Sequence, residues 1–103
     1  MSQVVIHGNT VYTAGQVAEG DSVTAQTEKI LAQIDGLLAD AGSDKSKLIS
    51  ATIWLTSMDD FAEVNEVWDA WIDPANPPAR ACVESPRLAT AEFRVEMMVV
   101  AAK

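Results

Sequence analysis

The sequence has a single cysteine among 103 residues, so no disulfide can form within one chain. It also lacks any apolar run approaching the roughly 18 residues that indicate a membrane-spanning helix. Its first residues have neither the basic flank nor the apolar segment of a secretory signal peptide. We therefore expect a cytoplasmic protein with no membrane partner.

Basic residues are scarce as well, with seven Lys and Arg against fifteen Asp and Glu, a net charge of −8 and a pI near 4.3. Proteins that bind nucleic acid neutralise phosphates with clustered Lys and Arg, and this sequence contains no such stripe. We expect no nucleic-acid partner.

The arginines are unevenly placed, because all three lie in the last quarter of the chain. Residues 1–79 carry three lysines against twelve acids, whereas residues 80–103 carry four bases against three acids. One fixed guanidinium in a sheltered place can hold a small carboxylate through two parallel hydrogen bonds. This last quarter is the expected place for a binding site.

The composition is that of an ordinary globular protein, with 49% hydrophobic and 21% charged residues. A chain of this length forms one domain, residues 1–103, but buries only a modest share of its surface on folding. Association with further copies would add to its stability.

The apolar periodicity predicts seven elements in the order β-β-α-β-α-β-β. Two short strands, 4–6 and 10–14, flank the turn His7-Gly8-Asn9, and two final strands cover about 79–85 and 93–101. Between them, a helix capped by Asp21 or Ser22 and ended by Gly42 precedes an alternating strand, 48–56. The inward face of this strand consists of Ile49, Ala51, Ile53 and Leu55.

A second helix is predicted to open at Ser57–Asp60, which has the Ser-x-x-acid form of a capping box. Its apolar stripe is Phe61, Val64, Val67, Trp68, Trp71 and Ile72. Together the elements predict an α/β (α+β) sandwich, a mixed sheet with two helices packed on one face.

Trp54 alternates away from the inward face of its strand. Since two helices cover only one face of the sheet, this tryptophan indicates a second buried surface, where copies of the chain associate. The alternative is a single exposed aromatic residue, which is common on protein surfaces.

Two residues are the main candidates for chemistry. Arg80 shares one face of its strand with Cys82 and Glu84, so it either holds a carboxylate ligand or pairs with an acid such as Glu84. Glu96 lies within the apolar last strand, where an acid is either solvated on the outer face or placed for catalysis.

Residues 78–84 (PARACVE) and 95–97 (VEM) also resemble the signature of the RidA/YjgF/UK114 family of enamine and imine deaminases. Residues 11–16 (VYTAGQ), 26–27 (QT), 41–42 (AG) and 60–65 (DFAEVN) agree with it in order and spacing. The resemblance implies a chorismate-mutase-like fold, a homotrimer formed through the open sheet face, and an active-site cleft between neighbouring subunits. It also implies catalysis without a cofactor.

The same resemblance implies the role of each site residue. Arg80 would hold the carboxylate of the substrate and Glu96 would activate the hydrolytic water. Gly15, Cys82 and Asn65 would lie beside the substrate, although the residues alone leave open whether Asn65 faces the core or the cleft. Cys82 has no partnered histidine, so we interpret it as a pocket-lining residue and not a nucleophile.

This sequence departs from the family pattern in three ways. Ala14 replaces a serine, Met98 replaces a second acid, and the sequence starts after a Gly-Pro-Tyr segment whose tyrosine closes over the substrate in longer members. We expect a more open pocket and an altered substrate range.

The function that these residues imply is hydrolysis of reactive 2-aminoacrylate and 2-iminopropionate-type compounds to 2-oxo acids and ammonia. No metal site is expected, because the only His and the only Cys are far apart in the sequence. The alternative is a trimer that binds small carboxylates or acts as a chaperone without turnover. A ribonuclease, a further label of the family, conflicts with the acidic composition.

Overall fold

A computed structural model describes all residues, 1–103, and has the predicted order of elements. In chain order they are β1 (Val4–His7), β2 (Thr10–Thr13), α1 (Val23–Asp40), β3 (Leu48–Leu55), α2 (Phe61–Trp71), β4 (Ala79–Glu84) and β5 (Val95–Ala102). Single turns of 3₁₀ helix precede β3 and α2. Neither α-helix combines the length and apolarity needed to cross a membrane.

The five strands form one mixed sheet in the order β1-β2-β5-β3-β4. Only β3 and β4 run parallel, because α2 returns the chain to the starting end of the sheet between them. All other neighbours are antiparallel, and strand β5 lies in the centre. The predicted mixed sheet with two helices on one face is therefore confirmed.

Helix α1 begins and ends where its capping residues predict. Ser22 is the N-cap, and its hydroxyl accepts a hydrogen bond from the Ala25 N–H at 3.0 Å. Gly42 follows the helix with a φ of +78°, a left-handed conformation that favours glycine. Between these ends, α1 buries Ile30, Leu31, Ile34 and Leu38 against the sheet.

The predicted capping box of α2 is wrong. Ser57 caps only the 3₁₀ turn, accepting from the Asp59 N–H at 3.2 Å, and α2 itself begins at Phe61. Asp60 makes no capping bond, because its Oδ1 accepts a charge-assisted hydrogen bond from Arg94 Nη2 at 2.7 Å. Phe61 also leaves the predicted apolar stripe and lies 37% exposed.

The inward face predicted for β3 is correct except at Ile49. The pairing register with β5 shifts between Leu48 and Ser50, which turns Ile49 outward and leaves it 50% exposed. Beyond this irregularity the alternation is regular, with Ala51, Ile53 and Leu55 buried under the helices.

The sheet face opposite the helices, which we call the open face, is largely apolar. Strand alternation and register place on it Val5, Tyr12, Trp54, Val83, Met98 and Val100. Tyr12 and Val83 are each close to half exposed. The open face is thus a second apolar surface that carries Trp54, and its burial between copies of the chain stays a prediction.

Candidate active site

The candidate residues lie on both faces of the sheet. Arg80 and Cys82 pair in register with the buried Ala51 and Ile53, so their side chains lie on the helix-covered side. Glu96 pairs with Trp54 and therefore lies on the open face. One chain alone does not bring Arg80 and Glu96 together.

Arg80 is held in place by α2. Its Nη2 donates a 2.6 Å hydrogen bond to Asn65 Oδ1, and its guanidinium carbon lies 5.3 Å from the centroid of the Trp68 ring. Both contacts fix a planar guanidinium without neutralising it. Asn65 thus faces Arg80, and its amide oxygen supports the guanidinium, while contact of Asn65 with a ligand stays a prediction.

No acid pairs with Arg80, so the alternative interpretation as a surface salt bridge is wrong. Glu84 instead accepts a 3.0 Å hydrogen bond from the Met58 N–H, and the one ion pair of the chain joins Arg94 and Asp60. The guanidinium thus keeps hydrogen-bond donors for a ligand.

Cys82 is a free, half-buried thiol two residues further along β4. Burial raises the pKa of this thiol, and the charge of Arg80 offsets the effect only in part. A raised pKa leaves Cys82 a poor nucleophile near neutral pH. Strand β4 is also the edge of the sheet, so alternate backbone groups beside Cys82 have no strand partner.

The second part of the site forms where β2 separates from β5. Pairing stops at Tyr12, the Thr13 hydroxyl then accepts from the Val99 N–H at 3.0 Å, and Gln16 pairs again with Met97. The intervening residues Ala14 and Gly15 therefore bow away from β5, while the Ala14 N–H still donates to Gln3 O at 2.8 Å.

The side chain of Glu96 lies against Gly15 of this bowed segment. A Cβ atom on Gly15 would lie 2.9 Å from the Glu96 Cδ and 3.3 Å from its Cγ, so any other residue here would displace the Glu96 carboxylate. The Gly15 N–H and the Glu96 carboxylate have no hydrogen-bond partner within the chain. A free donor and a free acceptor thus lie side by side on the open face.

The three main cavities of the isolated chain are not lined by Gly15, Arg80, Cys82 or Glu96. Three cavities of about 350 to 360 Å³ lie elsewhere, one against the segment 86–93 and two between the helices. No group of three or more His, Cys, Asp or Glu side chains is placed to hold a metal ion.

Sequence reasoning missed two contributors to the site. Trp68 was expected only as a core residue, yet its buried ring also faces Arg80. The spacing of Asn65 and Trp68 puts both on one side of α2, which is the signal that could have identified them together. Gln16 has no such signal, because two of the three partners of its side chain, Gln3 and Gln33, come from distant segments.

Comparison with known proteins supports the resemblance. A family model described as endoribonuclease L-PSP matches residues 1–103. A RutC family protein of Haemophilus influenzae is 43% identical over 104 residues, covering 98% of this chain and 89% of the relative. The RutC family protein YoaB of Escherichia coli is 42% identical over 102 residues, with coverage of 98% and 89%.

Solved structures agree with these relatives. A YjgF family protein from Neisseria meningitidis is 46% identical with a TM-score of 0.97, covering all of this chain and 87% of the other. RidA from an Antarctic Psychrobacter is 30% identical with a TM-score of 0.93, covering all of this chain and 88% of the other. With its sheet, its helices and its whole length matched, the chain belongs to the YjgF/RidA family, whose model carries the description endoribonuclease L-PSP.

Proposed function

We propose that the protein is a cofactor-independent enamine and imine deaminase that acts on 2-imino acids and their 2-aminoacrylate tautomers. The observation that carries this proposal is that two charged side chains, Arg80 and Glu96, have no oppositely charged partner within the chain. Arg80 is oriented by Asn65 and Trp68 but has no acid partner, and Glu96 lies unpaired beside the free Gly15 N–H. A carboxylate anchor and a water-activating acid are thus both available.

The two halves of the site meet in this proposal only when copies of the chain associate. Arg80 and Glu96 lie on opposite faces of one sheet, so a single cleft takes Arg80 from one copy and Glu96 from its neighbour. The apolar open face supplies the contact, and β4 lies at its edge. The proposed assembly is a homotrimer, with one cleft at each of its three interfaces.

The reaction needs only positioning and one base. Arg80 holds the substrate carboxylate in two parallel hydrogen bonds, and Glu96 accepts a proton as its water adds to the imine carbon. The carbon–nitrogen bond of the resulting carbinolamine then breaks. Nitrogen leaves as ammonia with the transferred protons, and the oxygen of water becomes the carbonyl oxygen of the 2-oxo acid.

The alternative is a protein of a different class, one that binds small carboxylates and catalyses no reaction. It would need Arg80 to hold a carboxylate, but an acid facing the bound anion would only weaken its affinity. Glu96 therefore favours the enzyme. Cleavage of RNA, which the family description names, is disfavoured by a net charge of −8, since RNA binding depends on neutralised phosphates.

A coupled assay tests the proposal, with a dehydratase generating the imine and the formation of 2-oxo acid being followed. We expect acceleration over spontaneous hydrolysis, and a loss of about 10²-fold in Glu96→Gln, which cannot accept the proton. Binding of pyruvate, measured by calorimetry, should hold or improve in that variant. Glu92→Gln, an exposed carboxylate nearby, is the matched control.

Two results would contradict the deaminase. If the parent binds pyruvate but does not accelerate hydrolysis, the protein is the binding module. If Glu96→Gln hydrolyses the imine as fast as the parent, Glu96 is a solvated surface residue and another base must be sought.

A further inference from the structure

The peptide group between Ala14 and Gly15 is the part of the site whose orientation matters most. Its N–H is the free donor beside Glu96, and the chain contains no cis peptide bond. In a trans peptide the C=O and N–H point in opposite directions, so whatever holds the Ala14 carbonyl also fixes the direction of the Gly15 N–H.

The Gln16 side chain holds that carbonyl. Gln16 Nε2 donates to Ala14 O at 3.2 Å and to Gln3 Oε1 at 2.8 Å, while Gln16 Oε1 accepts from Gln33 Nε2 of α1 at 3.1 Å. A carbonyl oxygen only accepts hydrogen bonds, so the amide group of Gln16 must turn its NH₂ towards Ala14.

Gln16 is itself rigidly placed. It is only 6% exposed, and its backbone N–H and C=O both pair with Met97, at 2.7 and 3.1 Å. Its side chain therefore connects the bowed segment to α1 and to the residues before β1, starting from a fixed point on the central strand β5. Every polar group of Gln16 has a partner, as a buried amide requires.

The geometry points to Gln16 as a positioning residue: its side chain holds the Ala14 carbonyl inward, and so presents the Gly15 N–H to an anionic oxygen of the ligand. The opposite orientation of the peptide would direct the Ala14 carbonyl at that oxygen, replacing an attraction with a repulsion. It would also remove an acceptor from the buried Gln16 amide.

This inference takes its ligand, a 2-oxo or 2-imino acid, from the proposed function. The contact between Gln16 and Ala14 does not depend on that function. Gln16→Met is the informative variant, because it keeps the length of the side chain and removes the donor. The control is Gln33→Met, which removes the bond between Gln33 and Gln16 but leaves the Gln16 to Ala14 contact. Crystal structures of both variants show the peptide directly, and calorimetry with pyruvate measures its effect on binding.

We expect the Ala14–Gly15 peptide to turn in Gln16→Met and to stay in Gln33→Met. Pyruvate binding should weaken by about 10- to 100-fold in Gln16→Met, the effect of one lost hydrogen bond to a charged acceptor. In the coupled assay the loss should fall mainly on KM, because the N–H holds substrate and transition state alike. A purely structural role would instead lower thermal stability and leave KM unchanged.

Gln16→Glu is the second variant should Gln16→Met fail to fold. It keeps the acceptor for Gln33 and loses the donor, and its affinity for pyruvate relative to that of the parent at the same pH should recover as the pH falls and the new carboxyl regains a proton to donate. If the peptide keeps its orientation without the Gln16 donor, or if pyruvate binds undiminished, the inference is wrong. If the parent itself does not bind pyruvate, the proposed function fails, while the crystal structures still decide the role of Gln16.

Discussion

At the scale of single residues, Arg80 is held by contacts that a lysine cannot reproduce. Its Nη2 bonds Asn65 and its planar group faces Trp68, so the remaining donors have a fixed direction. A lysine ammonium keeps the charge but offers neither the paired donors nor the planar face. The value of Arg80 to a carboxylate is therefore geometric as well as electrostatic.

We predict that Arg80→Lys binds pyruvate about 10- to 100-fold more weakly than the parent, since it loses one of two charge-assisted hydrogen bonds. Arg80→Ala should not accelerate imine hydrolysis at all. Calorimetry and the coupled assay measure the two effects. Arg87→Lys is the control, because the Arg87 side chain is exposed and makes no hydrogen bond. An Arg80→Ala variant as active as the parent would remove Arg80 from the site.

At the scale of elements, a buried glutamine joins the segment before β5 to helix α1. Gln26 is 2% exposed, and its Nε2 donates to Glu92 O at 2.9 Å and to Gly20 O at 3.2 Å. Its Oε1 accepts from the Arg94 N–H at 2.9 Å. This segment leads directly into the strand that carries Glu96, so Gln26 helps fix where that strand begins.

Replacing this glutamine should be costly to stability. Gln26→Leu removes the hydrogen-bond partner of part-buried backbone groups of Gly20, Glu92 and Arg94, and we expect the free energy of unfolding to fall by about 1 to 3 kcal/mol. Denaturant titration at equal protein concentration measures it, because the proposed association would also contribute to stability. Thr24→Ala, which loses only an exposed 3.4 Å bond to Glu63, should change little. Equal stability of Gln26→Leu and the parent would contradict this account.

At the scale of the whole molecule, the proposed cleft is shared between copies of the chain. Mixing two variants, each lacking one of the two site residues, tests this sharing. Alone, Arg80→Ala is expected to be inactive and Glu96→Gln to be about 10²-fold slower than the parent. Unfolded together and refolded at equal amounts, they form mixed trimers in which about a quarter of the interfaces combine an intact Arg80 with an intact Glu96 of the neighbour. The coupled assay should recover activity in that proportion.

Light scattering supplies the accompanying control, since the parent and the mixture should both have three times the 11.0 kDa mass of the chain. A monomeric parent at micromolar concentration would rule out the shared cleft. A trimeric mixture with no recovered activity would instead mean that no site combines Arg80 of one copy with Glu96 of its neighbour.

Local sequence patterns were sufficient for most of the fold. Alternation marked β3 and the Ser22 and Gly42 signals marked both ends of α1, because these features depend on a residue and its near neighbours. The exceptions have a common cause. The capping box failed at Asp60 and the alternation failed at Ile49 because a partner distant in the sequence, Arg94 or strand β5, competed with the local preference.

The sequence by itself determined the elements, their order, the apolar open face and the residue types of the site. Only the tertiary structure decided that Arg80 is supported by Asn65 and Trp68, that Glu96 lies under Gly15, and that these two groups occupy opposite faces of the sheet. The physical reason is that side-chain direction follows from local alternation, whereas the contacts of a side chain depend on which strands and helices pack together. That packing involves residues far apart along the chain.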